Sequence, residues 1–344
     1  MVRRFSRAVV TGGTGFLGSL ACRRLLEQGT AVVCLDNLLT GRRCAVPALD
    51  GPPLEFQFCD VTEPFDVAGP VDLVLHLASP ASPADYRRYP LQTMECGSVG
   101  TRNALQFAAR KGARFVLASS AGVYGDSRVS PQREDYRGNV DPIGPRGVLD
   151  EARRYAEALT AAYYRAGQAD AAIARIFTTY GPGMRPDTGR MVPTFVCQAL
   201  RGEPVTVSGD GSQTRSLCHV NDTVRGLLLL AASDFRGTVN IGNPDETTVR
   251  QIAARIIGLA KSDSPISHVP RPPDDPMSRR PDITLARTVL GFEPRVRWQE
   301  GLIETIDWFR RVLAEQTMPP REQGPAAGWL ASERAAGLGV LGVR

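Results

Sequence analysis

Lysine is almost missing from this chain. Its 344 residues carry 41 basic side chains, yet only Lys111 and Lys261 are lysines and the rest are arginines. The arginines are scattered, the net charge is a modest +5, and no stripe of basic residues alternates with aromatics. That pattern fits a GC-rich genome better than a nucleic-acid surface. Histidine is also scarce: His76, His219 and His268 stand far apart, with no neighbouring acid at zinc-ligand spacing, so no metal is expected. The seven cysteines (22, 34, 44, 59, 96, 197 and 218) form no C-x-x-C pair, and an odd set reads as reduced thiols in a cytoplasmic protein. The longest apolar run, Leu227–Ala232, is far too short for a bilayer and suits a core helix. Met1–Arg7 is basic but leads straight into a strand, so no secretory signal and no membrane partner are expected. Apolar residues at 42% and charged residues at 22% describe a globular chain long enough for about two domains.

What is present begins at once. Phe5–Val10 has strand character and runs into Thr11-Gly12-Gly13-Thr14-Gly15-Phe16-Leu17-Gly18. Helical spacing follows over Ser19–Gln28, Gly29 stops it, and a second apolar strand, Ala31–Leu35, ends in Asp36-Asn37. Strand, Gly-rich turn, helix, strand and acid together describe a dinucleotide site. Gly12 permits a tight turn, Gly15 a close approach of backbone to pyrophosphate, and Gly18 close packing of helix on strand. The helix N-terminus offers free N–H groups to the phosphates. Asp36 stands where a carboxylate accepts from a ribose 2′-hydroxyl, which favours NAD. Arg42 and Arg43 leave NADP as the alternative.

Further strands are expected at Leu54–Cys59, Val71–Ala78, Arg114–Ser119 and Ala171–Phe177, with helices near Leu91–Arg110 and Asp150–Arg165. Near-continuous apolar strands alternating with helices predict an α/β fold, a Rossmann-type doubly wound parallel sheet. After Tyr180 the chain is richer in Gly and Pro. A helix at Val192–Arg201, a strand at Pro204–Val207, a helix at Val220–Ala232, a strand at Gly237–Ile241 and a last helix near Gly301–Glu315 are expected there. Residues 316–344 read as a mobile tail.

The motifs then stand in a known order. Thr11–Gly18, His76-Leu77-Ala78-Ser79-Pro80-Ala81-Ser82-Pro83, Ser119–Gly125, Arg175-Ile176-Phe177, Tyr180-Gly181-Pro182 and Gly209–Arg215 resemble the NAD-dependent epimerase/dehydratase family of extended short-chain dehydrogenases, which works on nucleotide sugars. The double Ser-Pro motif, Pro142–Arg146 and Arg280-Pro281-Asp282 look most like UDP-glucuronate decarboxylases. The resemblance implies that residues 1–178, with 216–245, bind NAD. Residues 179–215 and 246–315 would form a smaller discontinuous α/β part that holds the nucleotide sugar. It implies cofactor contacts from Gly12, Gly15, Phe16, Leu17 and Gly18 in the turn, and from Asp36 and Asn37 beyond the second strand. Asp60, Val61, Leu77, Ala78, Ser79 and Arg153 complete that set. It implies substrate contacts from Ser120, Thr178, Arg190 and Gln213, with Arg215 and Arg280 on the diphosphate. A homodimer is the family habit.

Departures from the family cluster at the chemistry. Its Tyr, with a Lys four residues on, is replaced by Leu149 and Arg153. Leucine takes no proton, whereas Arg153 keeps a positive charge for the nicotinamide ribose. Asp150 and Glu151 are expected to point away from that i, i+4 face. Ala121 and Gly122 stand where sugar 4,6-dehydratases carry an acid pair, and the decarboxylases' Glu is likewise Gly122. Gly97, Thr178 and Ser208 replace an Asn, an Asn and an aromatic. Ser120 retains the hydroxyl that meets the sugar's C4 oxygen, and Tyr124 is the phenol left to act as acid/base or to contact the sugar. The expected catalytic set is therefore Ser120, Tyr124 and Arg153. The expected activity is that of a nucleotide-sugar enzyme close to UDP-glucuronate decarboxylase with an altered acid/base set. The alternatives are a non-catalytic NAD and nucleotide-sugar binder, or another reaction on the same fold. His76 is read as structural, His219 as a candidate substrate contact and Cys96 as an inert buried thiol.

Overall fold

β-Branched and aliphatic residues at successive positions make strands that bury both faces, and the tertiary structure decides what each face meets. The computed structural model describes residues 3–42, 53–272 and 275–317. Arg43, Cys44 and nearly all of the expected tail lie outside the described residues; residues 316 and 317 still belong to the last helix. Six parallel strands come first: β1 (Arg7–Thr11), β2 (Ala31–Asp36), β3 (Leu54–Phe58), β4 (Leu73–His76), β5 (Arg114–Ser120) and β6 (Asp170–Ile176). With the later strand Thr238–Ile241 they form a seven-stranded sheet in the order Thr238–Ile241, β6, β5, β4, β1, β2, β3. The expected doubly wound parallel sheet is what the chain adopts.

Alternation along β1 sends Ala8 and Val10 to one face and Val9 to the other. On the first face they meet Ala21 and Leu25 of α1 (Phe16–Glu27), and Val224 and Leu227 of the helix Val220–Ala232. On the second they meet helices further along the chain. Here the structure differs from the single helix expected near residues 91–110. Pro83 and Pro90 each start a short helix, α2 (Pro83–Arg88) and α3 (Pro90–Glu95). A π-helical turn over Cys96–Gly100 then leads into α4 (Thr101–Lys111). Proline at a first helical position costs no hydrogen bond, so two starts are tolerated where one long helix would be kinked. Helix α5 (Gly147–Arg165) begins three residues earlier than expected and packs with α4 on the second face.

The strand order reverses between β1 and β4, which opens a crevice at their carboxyl ends, where doubly wound sheets bind ligands. Smaller pairings stand beyond it. Val205–Ser208 pairs in parallel with Ile266–Val269. Thr214–Ser216 lies between Glu246–Thr248 and Ser278–Arg279. The described residues up to Phe309 form one compact unit. No helix among the described residues is long and apolar enough to cross a membrane.

Candidate active site

The crevice is a cavity of about 770 Å³ whose walls come from the Gly-rich turn, the segments after β2 and β4, the end of β5, and the start of α5. At its floor Gly12 has φ +69°, and a Cβ there would stand 2.7 Å from the Ala78 backbone. A Cβ on Gly18 would come within 2.1 Å of the Gly12 carbonyl oxygen. Glycine is therefore required at both positions, and the bare backbone is free to meet a phosphate. Asp36 is buried; its carboxylate accepts from the Thr14 N–H at 3.0 Å and the Leu38 N–H at 2.8 Å. A carboxylate has about four acceptor sites, so capacity is left for a ribose diol. Asn37 donates to Asp60 at 3.0 Å, joining two walls of the same half. Every residue expected to touch the cofactor lines this cavity, Arg153 included, and the residues present fit a dinucleotide. Arg42 lies on its rim.

Deeper in, Ser120 ends β5 and caps the 3-10 turn Ala121–Tyr124, its Oγ accepting from the Gly122 N–H at 3.1 Å. Leu149 and Arg153, one helical turn apart on α5, both line the cavity. The apolar side chain thus occupies the wall on which the family's phenol would stand. Arg153 is 6% exposed, and its Nη1 donates to the Ala118 carbonyl at 2.7 Å. Burial lowers its pKa from the usual arginine range. Cys96 donates to the Ala78 carbonyl at 3.1 Å, and burial pushes its thiol up to about 12, an inert group at neutral pH.

Six more arginines, 87, 146, 185, 190, 215 and 279, line the same cavity. Arg190 donates to the Ala81 carbonyl at 2.7 Å. Arg215 is held by Asp275 at 2.7 Å, so part of its charge is already answered. Gln213 donates to the Ser208 carbonyl at 2.8 Å, and Thr178 lines the wall nearby. Arg279 is the cation that the sequence reading missed. Its Nη2 is buried without a hydrogen-bond partner among the described residues. Burial, then the neighbouring Arg146, bring its pKa down to about 9. A cation with a buried, unpartnered nitrogen is a site for an anion.

Three expectations are corrected by this geometry. Arg280 is not on the cavity wall; it lies 3.8 Å from Glu246. The register explains the exchange. Arg279 pairs with Arg215 across two parallel strands, so these two share a face and Arg280 takes the opposite one. Tyr124 is also off the cavity wall, and 1% exposed. Its hydroxyl donates to Asn240 at 2.7 Å and accepts from Arg175 at 3.0 Å, and burial pushes it up to about 12. A phenol so placed is a structural hub, not an acid/base or a sugar contact. His219 is buried against the Tyr180 ring and 3.7 Å from Glu304, away from the cavity.

Asp150 is off the cavity wall, away from the face of Leu149 and Arg153, yet it is not solvated. It is 3% exposed, and a Cβ on Gly122 would stand 2.2 Å from its Oδ1 and 3.4 Å from the Ser120 hydroxyl. Arg146 lies 3.6 Å from its other oxygen. Helix α5 is walled on two sides here, by α3 and by the 3-10 turn, so the face next to Leu149 is interior too. Among the described residues no group of three His, Cys, Asp or Glu could hold a metal ion.

A glycine cradle at a strand-order reversal, an acid after the second strand and a cationic outer half define a dinucleotide enzyme scaffold with an anion site beside it. The chain belongs to the NAD dependent epimerase/dehydratase family, whose model matches residues 8–242. It is 45% identical over 311 residues to UDP-glucuronic acid decarboxylase 1 of Danio rerio, covering 90% of this chain and 74% of that one. It is 47% identical over 298 residues to UDP-glucuronic acid decarboxylase 6 of Arabidopsis thaliana, covering 86% of each. Among solved structures, MoeE5 in complex with UDP-glucuronic acid and NAD superposes with a TM-score of 0.76 at 29% identity, covering 89% of this chain and 99% of that one. NAD is the cofactor of this site.

Proposed function

We propose that the protein binds NAD and a UDP-hexuronate and carries out redox-neutral chemistry of the UDP-glucuronate decarboxylase type, slowed by the loss of the phenol. One observation carries the reading: the dinucleotide cradle, the Ser120 hydroxyl and the arginines 215 and 279 all line one cavity. The names of the relatives supply the substrate class. Residues 179–215 and 246–315 would provide the sugar-binding part.

In this reading the C4 alcohol of the sugar is oxidised, the C5 carboxylate leaves the resulting ketone as carbon dioxide, and the ketone is reduced again. Bound NAD supplies the hydride acceptor and then the donor. The chain's own residues do the rest. Arg279 and Arg215 meet the diphosphate, for which a guanidinium fork is suited. Ser120 donates to the C4 oxygen. Arg153 places a fixed charge beside the nicotinamide ribose. Leu149 takes no proton; the carboxylate of Asp150, packed under Gly122 behind Ser120 and off the cavity wall, would take the C4 proton only by way of the Ser120 hydroxyl.

A second reading is favoured by Leu149 and Gly122 themselves: a protein that holds both ligands without converting them. Incubating the NAD-loaded protein with UDP-glucuronate and seeking a UDP-pentose or its 4-keto form by mass spectrometry separates the two. Product supports the first reading. Calorimetric binding of UDP-glucuronate without product supports the second, and no binding removes both.

A further inference from the structure

The segment Gly181–Arg190 lines the cavity through Gly183–Arg185 and Thr188–Arg190, and Arg185 ties it to two other walls. Its Nη2 lies 2.7 Å from Asp85, at the start of α2. Its Nη1 donates to the carbonyl of Thr40, four residues beyond Asp36, the last residue of β2. Its Nε lies 3.1 Å from Asp187, within the same segment. Thr40, Asp85 and Arg185 all line the cavity. Asp85 is fixed in turn, accepting from the Ser82 hydroxyl at 2.5 Å. The two segments are joined again where the Ala84 N–H donates to the Thr188 carbonyl at 3.1 Å. The same segment also lies against the cofactor cradle. A Cβ on Gly183 would touch the ring of Phe16, the first residue of α1, at 3.6 Å.

We propose that Arg185 is a positioning residue that latches this segment over the NAD cradle, so that NAD leaves only after the ties to Asp85 and Thr40 have broken. Both partners of the ion pair are largely buried, at 19% and 14% side-chain exposure, which shields the pair from salt and from water. Arginine suits the task because its planar fork can serve several acceptors at once. The inference needs only that NAD is bound, and it is independent of the reaction proposed above.

Exchange of bound NAD for isotopically labelled NAD, followed by mass spectrometry on the full chain, tests it. Arg185→Ala is expected to raise the rate of NAD release by about ten-fold, the scale of one charge-assisted hydrogen bond. Asp85→Asn, which removes only the charge, is expected to raise it by a smaller factor, and Arg185→Lys to fall between wild type and Arg185→Ala. An unchanged release rate in Arg185→Ala overturns the latch. If that variant does not fold, an unchanged rate in Asp85→Asn overturns it instead.

Discussion

Restoring the phenol is the sharpest perturbation of this site. Leu149 is buried on the cavity wall, and the cavity of about 770 Å³ gives an aromatic ring room to extend inward from α5. One turn along the helix, residue 153 shares that face, as i, i+4 positions do. In the double variant Leu149→Tyr with Arg153→Lys, the cation lowers the phenol's pKa and the phenolate takes the C4 hydroxyl proton. General acid–base help is worth roughly 10²–10⁴-fold, or about 3–5 kcal/mol of barrier. Arg153 loses its hydrogen bond to Ala118 in the exchange, a stability cost of about 1 kcal/mol that leaves the fold in place. The measurement is NADH absorbance in a single turnover with UDP-glucuronate, with the product identified by mass spectrometry. The rate should rise by two orders of magnitude or more over wild type, and it should increase with pH through the new phenol's titration. Equal rates in the two proteins, each shown to bind both ligands with unchanged affinity, would refute the assignment of residue 149 to the proton path.

Other consequences are open to direct test. Arg279→Ala should weaken UDP-glucuronate binding by about ten-fold or more in calorimetry, whereas Arg280→Ala, off the cavity wall, should leave it within two-fold. Tyr124→Phe breaks the bond to Asn240 and should lower stability by about 1–3 kcal/mol in chemical denaturation, with NAD affinity unchanged. Loss of NAD binding would contradict its structural role. His76 is buried between Thr11 and Thr101, and burial pushes it from 6.5 down to about 3. The unfolded chain gains a proton near 6.5 that the folded chain refuses, so this contribution is complete above that pH. It is lost progressively as the pH falls toward 3, by at most about 1.4 kcal/mol per unit. Denaturation midpoints that do not fall between pH 7 and pH 5 would contradict it.

Much of this protein is written locally. The turn from Thr11 to Gly18 and the acid at Asp36 are read from neighbours in sequence, because a phosphate cradle is built from consecutive backbone groups. The parallel sheet follows from the apolar strands and their helical spacers. Leu149 and Arg153 were legible because they lie on one helix, where spacing alone decides which side chains share a face. The long-range decisions were not legible. Arg279 rather than Arg280 faces the cavity because a strand at residue 278 pairs with one at residue 214, and slipping that register by one residue would exchange them. Tyr124 is withdrawn from the site by Asn240 and Arg175, which lie on strands that sequence alone cannot align. Asp150 is buried because Gly122 leaves it space, and Arg185 acts across three segments more than forty residues apart. Each depends on which surfaces meet when the chain closes on itself, and that is set by packing between distant segments, to which local periodicity is blind.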